Sequence, residues 1–207
     1  MASITKSYLI LYNFVSAGLW TVVLARTATI AISAGPDKVF PELDEYVRLV
    51  QTGALLEVVH SLVGLVRAPL FTTLMQVASR LLLVWGIAYT FPSATAQSPT
   101  YPSMLVAWSV TEVIRYSYFV FNLVGSIPGA LTWLRYNTFF ILYPLGITSE
   151  CWCIYEVIRR GAAKKIDQKL EFALWAVLVI YIPGAYILYT HMMKQRRRIM
   201  RGKQKAK

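Results

Sequence analysis

Residues Asn137–Glu156 read NTFFILYPLGITSECWCIYE. The apolar residues run long enough to cross a bilayer, yet Tyr143, Pro144 and Glu150 lie among them. An ionised side chain at the bilayer centre costs about 2.5–3.5 kcal/mol on insertion scales, so Glu150 points to a function by default. Pro144 lacks an N–H and its ring crowds the carbonyl of Phe140, so a kink is expected there, with Gly146 loosening the next turn. Tyr143 and Glu150 are seven residues apart, about 20° short of two full helical turns, and so share a face. About 10.5 Å of rise separates their α-carbons. They can flank a small reacting group between them but cannot easily touch.

The rest of the chain repeats this apolar pattern. Of 207 residues, 57% are hydrophobic and 15% charged, against roughly 25% charged in soluble chains. The apolar residues fall into blocks of about twenty, the length of a membrane helix. The expected fold is all-α: one polytopic six-helix transmembrane bundle, with spans near 8–32, 46–66, 71–91, 103–124, 133–158 and 170–190. Residues 1–193 form this single domain and 194–207 a basic tail. Turn-rich separators lie between the blocks, among them SAGPDKVFPELDE, PSATAQSPTYPS and GSIPGA. The first block is read as a retained span, since it is long, contains Arg26 and is followed by no small-residue cleavage site.

Net charge is +11, and eight basic residues with no acidic ones fall in KQRRRIMRGKQKAK at the end. Such a tail after a span fits a cytosolic flank on anionic lipid better than a nucleic-acid surface. An even span count puts both termini on one side. With the termini inside, eleven basic residues lie inside, including Lys6, Arg67 and Arg135, against seven outside. The positive-inside rule favours that orientation, whereas an odd count would bring the basic loop 159–169 inside. The final KQKAK places Lys203 and Lys205 as in a dilysine retrieval signal, or as part of an ordinary basic tail.

Ionisable residues recur inside the blocks: Arg26, Glu57, His60, Arg80, Glu112, Arg115, Glu150 and Glu156. Glu112, Arg115 and Tyr116 share a helix face, so Glu112 and Arg115 can pair within the helix, or Arg115 and Tyr116 can face a polar substrate. His60 reads as a hydrogen-bonded packing residue, and Gln76 and Ser79 as interhelical hydrogen-bonding groups. Two histidines, His60 and His191, cannot build a histidine-box metal site. Cys151 and Cys153 point about 200° apart on a helix and cannot bridge each other. Cys153 to Arg159 matches the outline of a tyrosine-phosphatase loop, but the intervening residues IYEVI hold a glutamate and no glycine, and read as helix.

The stretches YLILYN, QTGALLEVVHSLVGLVRAP, QVASRLLLVWGI, AWSVTEVIRYSYF and LRYNTFFILYPLGITSE together resemble the 3-hydroxyacyl-CoA dehydratase family, also known as the protein-tyrosine-phosphatase-like A family. They run from Tyr8 to Glu150, and the Y-P-x-G-x-x-x-E motif is intact. The resemblance implies six spans with cytosolic termini in the endoplasmic reticulum. It also implies loss of water from a very-long-chain (3R)-3-hydroxyacyl-CoA to give a trans-2-enoyl-CoA, the third step of fatty-acid elongation. Tyr143 and Glu150 would be the catalytic pair, with Arg115 and Tyr116 as candidates for orientation or oxyanion support. The preferred roles are Glu150 as base and Tyr143 as donor to the departing hydroxyl, although spacing alone permits the exchange. No metal or redox cofactor is implied, coenzyme A being part of the substrate. Its head would rest at the cytosolic face against Arg67 or Arg135. The implied partners are membrane lipid and the condensing enzyme, ketoacyl-CoA reductase and enoyl-CoA reductase of elongation. The competing class is a non-enzymatic transporter or a scaffold for those enzymes.

Overall fold

The computed structural model describes residues 3–66 and 68–205, with side chains up to residue 199. Arg67 and the side chains of Lys203 and Lys205 therefore lie outside the described residues. Every regular element among the described residues is helical. In chain order these are α1 (Ser3–Ser33), α2 (Val39–Thr52), α3 (Leu55–Leu62), α4 (Leu70–Leu81), α5 (Pro92–Ala96), α6 (Tyr101–Val124), α7 (Gly129–Asn137), α8 (Phe139–Arg159), α9 (Ala162–Ile166) and α10 (Gln168–Lys205). A wider π-helical stretch, Leu82–Tyr89, continues α4 and buries Leu83, Val84, Ile87 and Ala88.

Among the described residues, three helices are long and apolar enough to cross a membrane: Ser3–Ser33, Leu70–Tyr89 and Gln168–Ile199. Two of the six expected spans are not single helices. The 46–66 segment divides between α2 and α3 at Gly53, whose N–H closes on the Leu49 carbonyl at 3.2 Å. Residues 39–45, expected as connector, belong to α2, because Val39, Phe40, Leu43 and Val47 recur at helical spacing and bury one face. The 133–158 segment divides at Thr138, whose hydroxyl donates to the Leu134 carbonyl at 2.8 Å. Thr138 keeps helical backbone angles, φ −66 and ψ −22. The helix α8 continues through Pro144, and α10 through Pro183.

The centre of the fold is α6, with α1 packed along it on one side and α8 on another. Trp20 and Val23 of α1, Leu43 and Val47 of α2, Leu105 and Trp108 of α6, and Ile154 and Val157 of α8 meet in one core. Gly125 ends α6 at φ 99, a left-handed conformation that leaves the N–H groups of Gly125 and Ser126 bonded to the Phe121 carbonyl at 3.0 and 3.1 Å. The outer faces stay apolar: Phe172, Val179, Ile182 and Tyr186 of α10 are exposed. A continuous greasy surface of this kind fits lipid rather than water.

Candidate active site

The geometry at Glu150 begins with a close approach of α8 to α6. A β-carbon added at Gly146 would lie 3.7 Å from the Ala107 β-carbon. The Ser103 and Ser149 hydroxyls meet at 2.9 Å, and Thr100 Oγ1 donates to the Ser149 carbonyl at 3.3 Å. With the helices held there, Trp108 Nε1 donates to Glu150 Oε1 at 2.8 Å. From α10, the Tyr181 hydroxyl donates to Glu150 Oε2 at 3.0 Å. Glu150 is buried, and each of its oxygens accepts a bond from a neutral donor.

Tyr143 is half-buried two turns earlier on α8. Its hydroxyl donates to the Ala185 carbonyl of α10 at 3.1 Å, and its ring tilts against Tyr189 at 5.9 Å between centroids. Ala185 lies one turn beyond Tyr181, so both members of the expected pair face the same stripe of α10. The phenol that bonds Glu150 is Tyr181, not Tyr143. Tyr181 and Trp108 have no place in the Y-P-x-G-x-x-x-E motif.

Arg115 and Tyr116 sit in a separate ion-pair network. Arg115 holds Glu57 of α3 through two bonds of 2.7 and 2.6 Å, and Glu112 through Nε at 2.7 Å. The Tyr116 hydroxyl also donates to Glu57, and Arg80 of α4 pairs with Glu112. The expected Glu112–Arg115 pair is present and extends to two further helices. Arg80 also lies 5.1 Å from the Trp108 ring centroid, which links this network to the donor on Glu150. His60 is buried and shares a 2.8 Å hydrogen bond with the Tyr8 hydroxyl, as a packing residue would.

Other expectations change. Gln76 is exposed, and half-buried Ser79 bonds the Gln76 carbonyl of its own helix at 3.1 Å, so among the described residues neither is seen to join two helices. Arg26 is exposed near the end of α1 and reaches the Glu42 carbonyl at 3.4 Å. Glu156 is held by Arg159 and Arg160 at 2.9 and 2.8 Å. Cys153 is buried within α8, so the segment to Arg159 forms helix rather than a phosphate-binding loop. Among the described residues no group of three or more His, Cys, Asp or Glu could hold a metal. A half-open groove of about 300 Å³ lies between α1 and the α2–α3 junction, with Tyr12, Trp20, Leu56 and Tyr116 in its walls. Neither Tyr143 nor Glu150 lines it.

Fold and site together define a class: an α-helical membrane protein with a buried carboxyl that stands outside the ion-pair network. Residues 51–202 match the family described as "Protein tyrosine phosphatase-like protein, PTPLA", and the chain belongs to that family. A relative from Schizosaccharomyces pombe, 50% identical over 96% of each chain, is named "Probable very-long-chain (3R)-3-hydroxyacyl-CoA dehydratase". An Arabidopsis thaliana relative, very-long-chain (3R)-3-hydroxyacyl-CoA dehydratase PASTICCINO 2, is 37% identical over 97% of this chain and 96% of its own. The human very-long-chain (3R)-3-hydroxyacyl-CoA dehydratase 2 is 30% identical over 95% of this chain and 82% of its own. No solved structure matches the chain.

The network predicts which carboxyl matters most for stability. Glu112 is buried between two guanidiniums, so Glu112→Gln leaves an uncompensated charge and should cost about 3–5 kcal/mol. Glu156→Gln should cost less, about 1 kcal/mol, because the side chains of its partners Arg159 and Arg160 are 51% and 31% exposed and stay in reach of water when the carboxylate is lost. Thermal unfolding in detergent should therefore separate the two variants. Equal melting would contradict the network's structural weight.

Proposed function

We propose that the chain is a very-long-chain (3R)-3-hydroxyacyl-CoA dehydratase, a hydro-lyase that forms trans-2-enoyl-CoA, with Glu150 and Tyr143 as its catalytic pair. The relatives' names and the intact Y-P-x-G-x-x-x-E motif support the reaction. The observation that carries the site is a comparison of carboxyls. Glu57, Glu112 and Glu156 are each engaged by arginine, whereas Glu150 has only the neutral donors Trp108 and Tyr181. It is the buried carboxylate left available to accept a proton.

Elimination needs a base at the α-carbon, a proton donor for the leaving hydroxyl, and donors for charge developing on the thioester oxygen. Glu150 takes the α-proton. The bonds that Trp108 and Tyr181 donate to its two oxygens stabilise the ionised form, the state in which a carboxyl can only accept a proton. Tyr143 gives its phenolic proton to the hydroxyl on the β-carbon, releasing the Ala185 carbonyl as substrate enters. The C–H and C–O bonds break, a carbon–carbon double bond forms, and water leaves. The step is redox-neutral and moves only protons and water, so the proposed chemistry involves no redox cofactor. Trp108 and Tyr181 position Glu150, while Arg115 and Tyr116 act through the network beside it.

We further propose six membrane crossings with both termini cytosolic in the endoplasmic reticulum, beside the condensing enzyme and the two reductases of elongation. The basic tail supports the orientation, and α2–α3, α6 and α7–α8 are the further segments that would cross beside the three long apolar helices. The inward pairing of Glu57, Glu112 and Arg115 also makes the more polar helices tolerable in lipid.

Two outcomes follow. Tyr143→Phe and Glu150→Gln should each lower dehydration by about 10²-fold or more at normal expression. The double variant should be little worse than the poorer single one. Tyr181→Phe, which removes one bond to a charged acceptor, should cost about 10-fold. Turnover of purified variants decides it: near wild-type rates for both Tyr143→Phe and Glu150→Gln would sink the assignment. For orientation, a tag placed after Lys207 should be cleaved by protease added to sealed microsomes; a protected tag would reverse the topology.

A further inference from the structure

Inside the bundle two ionisable groups stand outside the ion pairs, Glu150 with its neutral donors and Arg135. Arg80 and Arg115 face Glu112 and Glu57, two cations against two anions. Arg135 of α7 is a third, half-buried guanidinium, and among the described residues it has no carboxylate within ion-pair distance. Its neighbours are aromatic faces: Tyr118 at 4.4 Å, Phe119 at 4.7 Å and Tyr136 at 5.8 Å from the ring centroids. Arg115 also sits over Phe119, at 5.9 Å, but its charge is already met by Glu57 and Glu112. Cation–π contact contributes about 0.5–2 kcal/mol and supplies no counter-charge. A partly desolvated guanidinium with no carboxylate partner is an electrostatic vacancy for an anion, and its planar fork suits phosphate.

We propose that Arg135 anchors a phosphate subsite that takes the nucleotide head of the acyl-CoA. This rests on the dehydratase reading and extends it to substrate binding. The placement fits the length of the substrate. The α7–α8 junction keeps helical backbone at Thr138, so Arg135 lies about 12 Å of rise from Tyr143 and about 22 Å from Glu150. Across the same interval α6 runs antiparallel, from Tyr118 beside Tyr136 to Trp108 on Glu150. A head held at Arg135 leaves an extended pantetheine arm to run along α8 and bring its thioester between Tyr143 and Glu150. The rings of Tyr118, Phe119 and Tyr136 hold the guanidinium in place, so little side-chain entropy is lost when phosphate binds.

The same phosphate chemistry could come from an anionic lipid headgroup, so the test has arms for both. Protein purified in detergent is titrated with adenosine 3′,5′-bisphosphate, and turnover is followed with 3-hydroxyacyl-CoA and with the corresponding pantetheine thioester, which lacks the nucleotide. Arg135→Gln should weaken bisphosphate binding about 10-fold and raise KM for the CoA substrate similarly, with kcat kept. KM for the pantetheine thioester should not change. Arg135→Lys, which keeps the charge, should recover part of the affinity and guards against misfolding. Unchanged bisphosphate binding in a folded Arg135→Gln protein overturns the proposal, as does an equal KM rise with both substrates. An effect that appears only in nanodiscs containing phosphatidylserine, and not in detergent, assigns the site to lipid and likewise overturns it. Bisphosphate binding that depends on Arg135 in a protein without dehydratase turnover would uphold the phosphate subsite while removing the reaction.

Discussion

Buried charge organises this molecule. In hydrocarbon an ionised side chain must find its partner within the protein, and here Glu57, Arg115, Glu112 and Arg80 find one another across α3, α6 and α4. Arg115 fixes α6 against α3 through two bonds to Glu57, Arg80 fixes α4 against α6 at Glu112, and Glu112–Arg115 joins the two contacts within α6. Polarity that would otherwise oppose insertion becomes the link between helices. With these acids and bases engaged, Glu150 remains as a buried carboxyl held by neutral donors.

The surroundings of Glu150 depend on that register. Trp108 lies one turn before Glu112 on α6, so the helix that carries the ion network also aims the indole N–H at Glu150. The small residues Gly146 and Ala107 let α8 come close enough for that bond. The remaining side is closed by α10, whose Tyr181 reaches Glu150 and whose Ala185 carbonyl holds the Tyr143 hydroxyl. Tyr143 is thus parked on backbone, and Glu150 is held by donors it does not consume. A substrate entering between them would displace one weak contact of Tyr143 and leave the support of Glu150 in place.

Much of this was legible in the sequence, for physical reasons. Apolar block length gave the helices, since lipid leaves the backbone no other hydrogen-bonding partner. Seven-residue spacing put Tyr143 and Glu150 on one face, and three-residue spacing paired Glu112 with Arg115. Other features were hidden. The break at Gly53 separates α2, which buries a row of apolar residues, from the short α3, which buries only His60, and block length does not register that change. Trp108 and Tyr181 read as ordinary membrane aromatics, because nothing local distinguishes a ring that packs from one whose polar edge meets a carboxylate on another helix. Gln76 and Ser79 were read as interhelical from their polarity alone, yet Gln76 is exposed and Ser79 turns back onto its own helix. The outline from Cys153 to Arg159 matches a phosphatase loop in spacing but not in backbone, which is helical throughout.

The most direct test of the account is turnover by the purified protein in detergent, where no gradient and no partner enzyme is present. Given a (3R)-3-hydroxyacyl-CoA of very long chain, the protein should release trans-2-enoyl-CoA, with the (3S) substrate left largely unreacted. Folded protein that binds the (3R) substrate and forms no enoyl product would contradict the account and leave transport or scaffolding as the better reading.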